Sequence, residues 1–98
     1  MNARELTLHI AANLGRIARW ALEGRMARVE QFLDDTRHYL HELEAEPKHP
    51  RFEKTWELFK QQFEELRQDT VRDEAWADTV ATWANILTHR ATLAATSE

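Results

Sequence analysis

Three side chains in the first half of the chain have the types and spacing of metal ligands. Asp34, His38 and His41 follow an i, i+4, i+7 pattern, which places one carboxylate and two imidazoles on one face of a helix. Such a set could hold zinc or iron if a partner supplied a fourth ligand. However, this face lies opposite the apolar stripe of the same segment, whereas metal sites in helical bundles point inward. We therefore predict exposed histidines, with no resident metal and no cofactor.

Other catalytic chemistry has little support in the sequence. The chain has no cysteine, and its only serine is Ser97, next to the last residue. A nucleophile needs a base beside it, and Thr7, Thr79 and Thr82 have no paired histidine or aspartate at a useful spacing. Neighbouring carboxylates such as Asp34-Asp35 point to different sides of a helix, and no glycine-rich phosphate loop is present. The sequence therefore predicts that the protein is not an enzyme.

Composition indicates one small all-α domain over residues 1–98. Hydrophobic residues make up 43 % of the chain and charged residues 31 %, with two glycines and two prolines. This length fits a single domain, and no apolar run is long enough to cross a membrane. The first ten residues include Arg4, Glu5 and His9, unlike a secretory signal. A chain without cysteine also suits a reducing compartment, so we expect a cytoplasmic protein without a membrane partner.

The helix-breaking residues divide the chain into two arms. Pro47 and Pro50 predict a loop over 47–50, because proline ends or begins a helix. Before this loop we predict one helix over about 3–46, in which Gly15 and Gly24 each cost about 1 kcal/mol and are tolerated. After it we predict helices over about 51–69 and 73–95, with a kink or break near 69–73. A short loop joins antiparallel neighbours, so the expected fold is a long αα-hairpin.

The apolar pattern suggests that two such hairpins associate. Residues 26–43 form a coiled-coil-like stripe and residues 52–66 a narrow stripe, whereas the start of the first arm and the end of the second are apolar over a wide arc. One hairpin partner would leave the surplus facing water, which monomers rarely allow. We therefore predict a homodimeric four-helix bundle. The alternative is that the break near 69–73 folds the last helix back and covers this surface within one chain.

The predicted dimer interface, or partner-binding surface, consists of residues from both apolar ends. Trp20 projects away from the main stripe, so we expect it to be buried only where a second chain covers it. Asn13 lies on the same flank, and a buried polar residue there could fix the register of two chains. The full predicted set is Leu6, Ile10, Asn13, Ile17, Trp20, Trp76, Trp83, Ile86 and Leu93.

Charge separates two classes of function. The formal net charge is −4, with the negative excess in residues 34–74, and an acidic protein is poorly suited to phosphate neutralisation. We therefore predict a small helical adaptor or regulatory protein that acts through protein–protein contacts, with itself and another protein as partners. The alternative is a nucleic-acid-associated protein that uses the arginine-rich first half of the first arm: Arg16, Arg19, Arg25 and Arg28.

Overall fold

Four α-helices account for most of residues 1–94, the part of the chain that the computed structural model describes. The helices are α1 (Ala3–Leu22), α2 (Met26–Ala45), α3 (Pro50–Gln68) and α4 (Glu74–Ala94). The predicted all-α fold class is therefore confirmed. The last residue of the predicted helix over 73–95 lies outside the described residues.

The predicted continuous helix over 3–46 is wrong, because the chain reverses at residues 23–25. The amide of Gly24 donates to the carbonyl of Ala21, and the amide of Arg25 donates to that of Trp20. Gly24 has a φ of 75°. These two bonds and the left-handed glycine form a Schellman motif, which ends a helix and turns the chain. Gly24 therefore terminates α1.

Because the chain reverses at Gly24 but not at Gly15, alanine at these two positions should have opposite effects on the free energy of unfolding. Gly24→Ala should lower the free energy of unfolding by about 1–2 kcal/mol, because a side chain is strained at positive φ. Gly15→Ala is the matched control: the site is exposed inside α1 and an added Cβ meets no atom within 4 Å. It should raise that free energy by about 0.5–1 kcal/mol. Urea unfolding followed by circular dichroism measures both, and equal effects of one sign would contradict the turn.

The second connection, between α2 and α3, is held by capping interactions. The ammonium group of Lys48 donates to the carbonyls of Leu43, Glu44 and Glu46 at the end of α2, and the Leu43 carbonyl also accepts from the Glu46 amide. His49 caps α3 by accepting a hydrogen bond from the Arg51 amide, with Pro50 as the first helical residue. The prolines thus set the start of α3 without interrupting it.

The third connection breaks the second arm between Gln68 and Glu74. The Asp73 carboxylate accepts from the Trp76 amide and so caps α4. The indole N–H of Trp76 donates to the Leu66 carbonyl at the end of α3, at 3.0 Å. Arg72 crosses to α2, where it pairs with Glu30, and lies 5.4 Å from the Trp76 ring centroid. These contacts fasten the α3–α4 connection against the beginning of α2.

Consecutive helices are antiparallel, so the topology is up-down-up-down. Rings of His9 and Tyr39 stack at 5.4 Å between α1 and α2. Lys60 of α3 binds Glu44 of α2, and the amide of His49, just before α3, donates to the carbonyl of Ala94 at the end of α4. The four-helix bundle therefore forms within one chain.

The core lies between all four helices. α1 and α4 pack most closely, because small residues line both, and close backbone approach needs small side chains. The buried alanines on these two helices are Ala3, Ala11, Ala18, Ala21, Ala77, Ala91 and Ala94. α3 contributes the large aromatic residues Phe52, Trp56, Phe59 and Phe63, each at most 1 % exposed. Among the described residues, no helix is long and apolar enough to cross a bilayer.

Candidate interaction surface

Most residues of the predicted interface lie inside the single-chain core. Leu6, Ile10 and Ile17 of α1 are fully buried, and the ring of Trp76 on α4 is buried as well. The expectation that these apolar side chains face water without a second chain is therefore wrong. The physical reason is that α1 packs between α2 and α4, which cover its wide apolar arc from both sides. Ile86 and Leu93 remain half-buried.

Trp20 is covered by its own chain. Its ring meets Phe32 of α2 edge-on at 4.7 Å, and the Arg28 guanidinium lies 5.3 Å from the ring centroid. The side chain is 9 % exposed. The prediction that Trp20 is buried only by a second chain is therefore wrong, since the reversal at Gly24 brings α2 over it.

Asn13 is buried on α1 and is incompletely hydrogen-bonded. Its Oδ1 accepts from Arg16 at 3.1 Å, whereas its Nδ2 has no hydrogen-bond partner among the described residues. A buried polar group of this kind usually constrains how helices pack, and it costs stability. In this fold Asn13 lies in the interior of one chain, so the constraint acts on the intrachain packing of α1.

The possible metal ligands do not converge. Asp34, His38 and His41 are all exposed on α2, and Nδ1 of His38 contacts the backbone carbonyl of Asp34 at 2.9 Å. Within residues 1–94, no group of three histidine, aspartate or glutamate side chains is placed to hold a metal ion. The i, i+4, i+7 spacing thus brings the three side chains to one face without forming a site.

Most arginines of the alternative nucleic-acid surface have partners within the chain. Arg16 binds Asn13, Arg25 pairs with Glu23 at 3.0 Å, and Arg28 lies over the Trp20 ring. Arg16 is therefore hydrogen-bonded, Arg25 is ion-paired and Arg28 is stacked on an indole ring. Salt-dependent binding to duplex DNA would still measure this alternative directly.

A groove between α2 and α3 contains the main charged network. Glu44 accepts hydrogen bonds from Lys60 at 2.5 Å and from the Trp56 indole at 2.6 Å. Lys60, followed by Trp56, holds the pKa of the Glu44 carboxyl below its ordinary value, and Glu44 in turn raises the pKa of Lys60. General acid–base catalysis near neutral pH needs shifts in the opposite directions. The Glu44–Lys60 pair therefore links two helices, and its pKa shifts are opposite to those of an acid–base pair.

A second groove, between α3 and α4, has a predominantly apolar lining. Trp83, 7 % exposed, packs against Phe59 with ring centroids 5.3 Å apart. Leu58 of α3 is 53 % exposed above it, and Ile86 of α4 is half-buried. We call this the α3–α4 groove, and its lining is completed by Thr55, Thr82, Asn85, His89 and Arg90.

The outer side of α4 continues this surface. Asp78, Thr82, Asn85 and His89 are all exposed, and their i, i+4, i+7, i+11 spacing aligns them along the helix. We call these four residues the α4 stripe. Residues 79–88 contain no charged side chain, in a chain of which 31 % of residues are charged. The groove and the stripe together form a face whose middle part, residues 79–88 of α4, is uncharged, with Asp78 and Arg90 at its two ends.

Sequence reasoning found Trp83 and Ile86 of this surface but missed Leu58 and the α4 stripe. Leu58 falls outside the narrow apolar stripe of α3, which follows Phe52, Trp56, Phe59 and Phe63. The available signal was the ten-residue run without charge over 79–88. It was missed because only the apolar residues of α4 were considered for the interface.

Comparisons with protein-family models, with curated proteins and with solved structures found no match for the chain. The functional argument therefore depends on the geometry of the surface.

Proposed function

We propose that this is a non-enzymatic helical protein that acts through protein–protein contacts, with a second copy of the chain as its partner. The observation that carries the proposal is the apolar α3–α4 groove beside the uncharged run over 79–88 of α4. It combines the half-exposed Leu58 and the half-buried Ile86 with the ring of Trp83 beneath them. Trp is frequent at the centre of protein interfaces, and Leu58 and Ile86 add apolar area around it.

Charge favours a second copy at this face. The chain has a formal net charge of −4, so two copies repel each other over most orientations. The uncharged run over 79–88 brings no like charges together when it meets its counterpart in a second copy.

The state of the titratable groups supports a non-enzymatic role. The pKa of the Glu64 carboxyl is lowered, first by its hydrogen bond from Arg67, as that of Glu44 is by Lys60. Both carboxyls are thereby held ionised in ion pairs on the surface. Enzymes instead arrange burial and like charges to bring such groups toward neutral pH.

The test is the solution mass over a dilution series, by light scattering on a sizing column. We expect a mass near twice 11.6 kDa and expect Leu58→Lys to raise the dissociation constant at least tenfold. Such a charge at the centre of an apolar contact loses its hydration without a partner. Val71→Lys is the matched control, because Val71 is 63 % exposed in the α3–α4 connection. This substitution should leave the mass unchanged. A wild-type monomer at all concentrations would refute the proposal.

A further inference from the structure

The α4 stripe has a two-fold pattern in its own order of residues. The midpoint between Asp78 and His89 along the helix is also the midpoint between Thr82 and Asn85. A two-fold axis at the level of that midpoint, perpendicular to α4, places each member of a pair opposite the other member in a second copy. The stripe is therefore complementary to itself when two α4 helices run antiparallel.

Resting on the proposed homodimer, we infer that its two copies pair through antiparallel α4 helices. Asp78 of each copy then faces His89 of the other, and Thr82 faces Asn85. The four contacts join a carboxylate to an imidazole and a hydroxyl to an amide, which are matched donor and acceptor types.

The existing hydrogen bonds of the stripe leave the required groups available. The Thr82 hydroxyl already donates to the Asp78 backbone carbonyl at 2.8 Å, so its oxygen remains an acceptor for the amide N–H of Asn85. Among residues 1–94, neither Asp78 nor His89 forms a salt bridge within the chain. Both are exposed, so pairing needs no change in the fold.

The same symmetry brings the apolar residues together. The two-fold axis lies in the plane of the interface. The flank of α4 that lines the α3–α4 groove is therefore on the same side of the interface in both copies. Ile86 and Leu58 lie on one flank of the stripe, where both line the α3–α4 groove. The apolar side chains of the two copies therefore meet beside the polar stripe, which supplies register while they supply buried area.

Charge exchange tests this arrangement. Asp78→Lys places an ammonium group opposite His89 of the other copy, and His89→Glu places a second carboxylate opposite Asp78. Each single variant should raise the dimer dissociation constant at least tenfold. The double variant D78K/H89E should return it to within about threefold of the wild-type value, because an ammonium group then faces a carboxylate at both contacts. Analytical ultracentrifugation over a dilution series measures all four proteins.

The rescue can only come from contact between copies. Eleven residues separate positions 78 and 89, which is about 16 Å along one helix, too far for direct pairing within a chain. The matched control is the same exchange at Asp35 and His38, an exposed aspartate and histidine of α2, which should leave the dissociation constant unchanged in all combinations. Circular dichroism checks that every variant keeps its helicity.

The outcomes separate this inference from the proposed function. A monomeric wild-type protein would overturn both. A wild-type dimer that is weakened by Leu58→Lys but unaffected by the single charge variants would overturn only the antiparallel α4 pairing. Weakened single variants without rescue in the double variant would also overturn it.

Discussion

Paired labels on α1 and α2 should lie within about 20 Å of each other, since neighbouring helix axes lie about 8–10 Å apart. The chain has no cysteine, so Ala12→Cys and Glu42→Cys, both at exposed positions, give specific sites for spin labels. Each position follows one ring of the stacked His9–Tyr39 pair by three residues. In antiparallel helices this offset separates the two positions by about 9 Å along the bundle.

The alternative structure predicts a very different distance. Thirty residues separate positions 12 and 42, which is about 45 Å in a continuous helix. Pulsed electron paramagnetic resonance measures the distance, and dilution with unlabelled protein removes contributions between copies. A distance near 45 Å would restore the long hairpin and contradict the turn at Gly24. The same labels at Ala12 and Arg16, one turn apart in α1, provide the short-distance control.

Phe59→Ala should produce the largest loss of stability, about 3–5 kcal/mol in the free energy of unfolding. Phe59 has no exposed surface, and its ring centroid lies 6.2 Å from Trp56, 5.8 Å from Phe63 and 5.3 Å from Trp83. Removing the Phe59 ring leaves a cavity between α3 and α4, where it packs against Trp83. Urea unfolding at a fixed protein concentration measures the effect.

The neighbouring residue provides the matched control. Leu58 is 53 % exposed in the same helix, so Leu58→Ala should change the free energy of unfolding of the monomer by no more than about 0.5 kcal/mol. The two adjacent positions thus separate the core from the proposed interface: Phe59 stabilises the fold, whereas Leu58 supplies contact area. Similar losses at both positions, measured at concentrations where the protein is monomeric, would contradict this division.

Several features of the fold are fixed by local sequence and could be predicted from it. Proline cannot continue a helix and restricts the residue before it, so the connection at Pro47 and Pro50 is local chemistry. The break near 69–73 follows from the interrupted apolar spacing and from Asp73, whose carboxylate caps α4. The aromatic stripe of α3 is buried as its 3.6-residue periodicity requires.

The sequence alone could not show that α1 ends at Gly24. A glycine costs a helix about 1 kcal/mol. Whether the helix continues through that glycine or ends at it depends on what the following segment packs against. Here α2 covers Trp20 through Phe32 and Arg28. That gain comes from contacts between residues of two different helices, which periodicity does not contain.

Caps, prolines and helical periodicity act within a few residues, so the sequence alone is enough to predict a helical chain, two of its connections and the buried face of α3. The tertiary structure was needed to show that α1 and α2 reverse on each other and that Leu6, Ile10, Ile17 and Trp20 are covered within one chain. It also decided that Leu58 and the α4 stripe remain at the surface. The physical reason is that burial depends on which helices become neighbours, and an apolar arc has the same pattern whether a second chain or the same chain covers it.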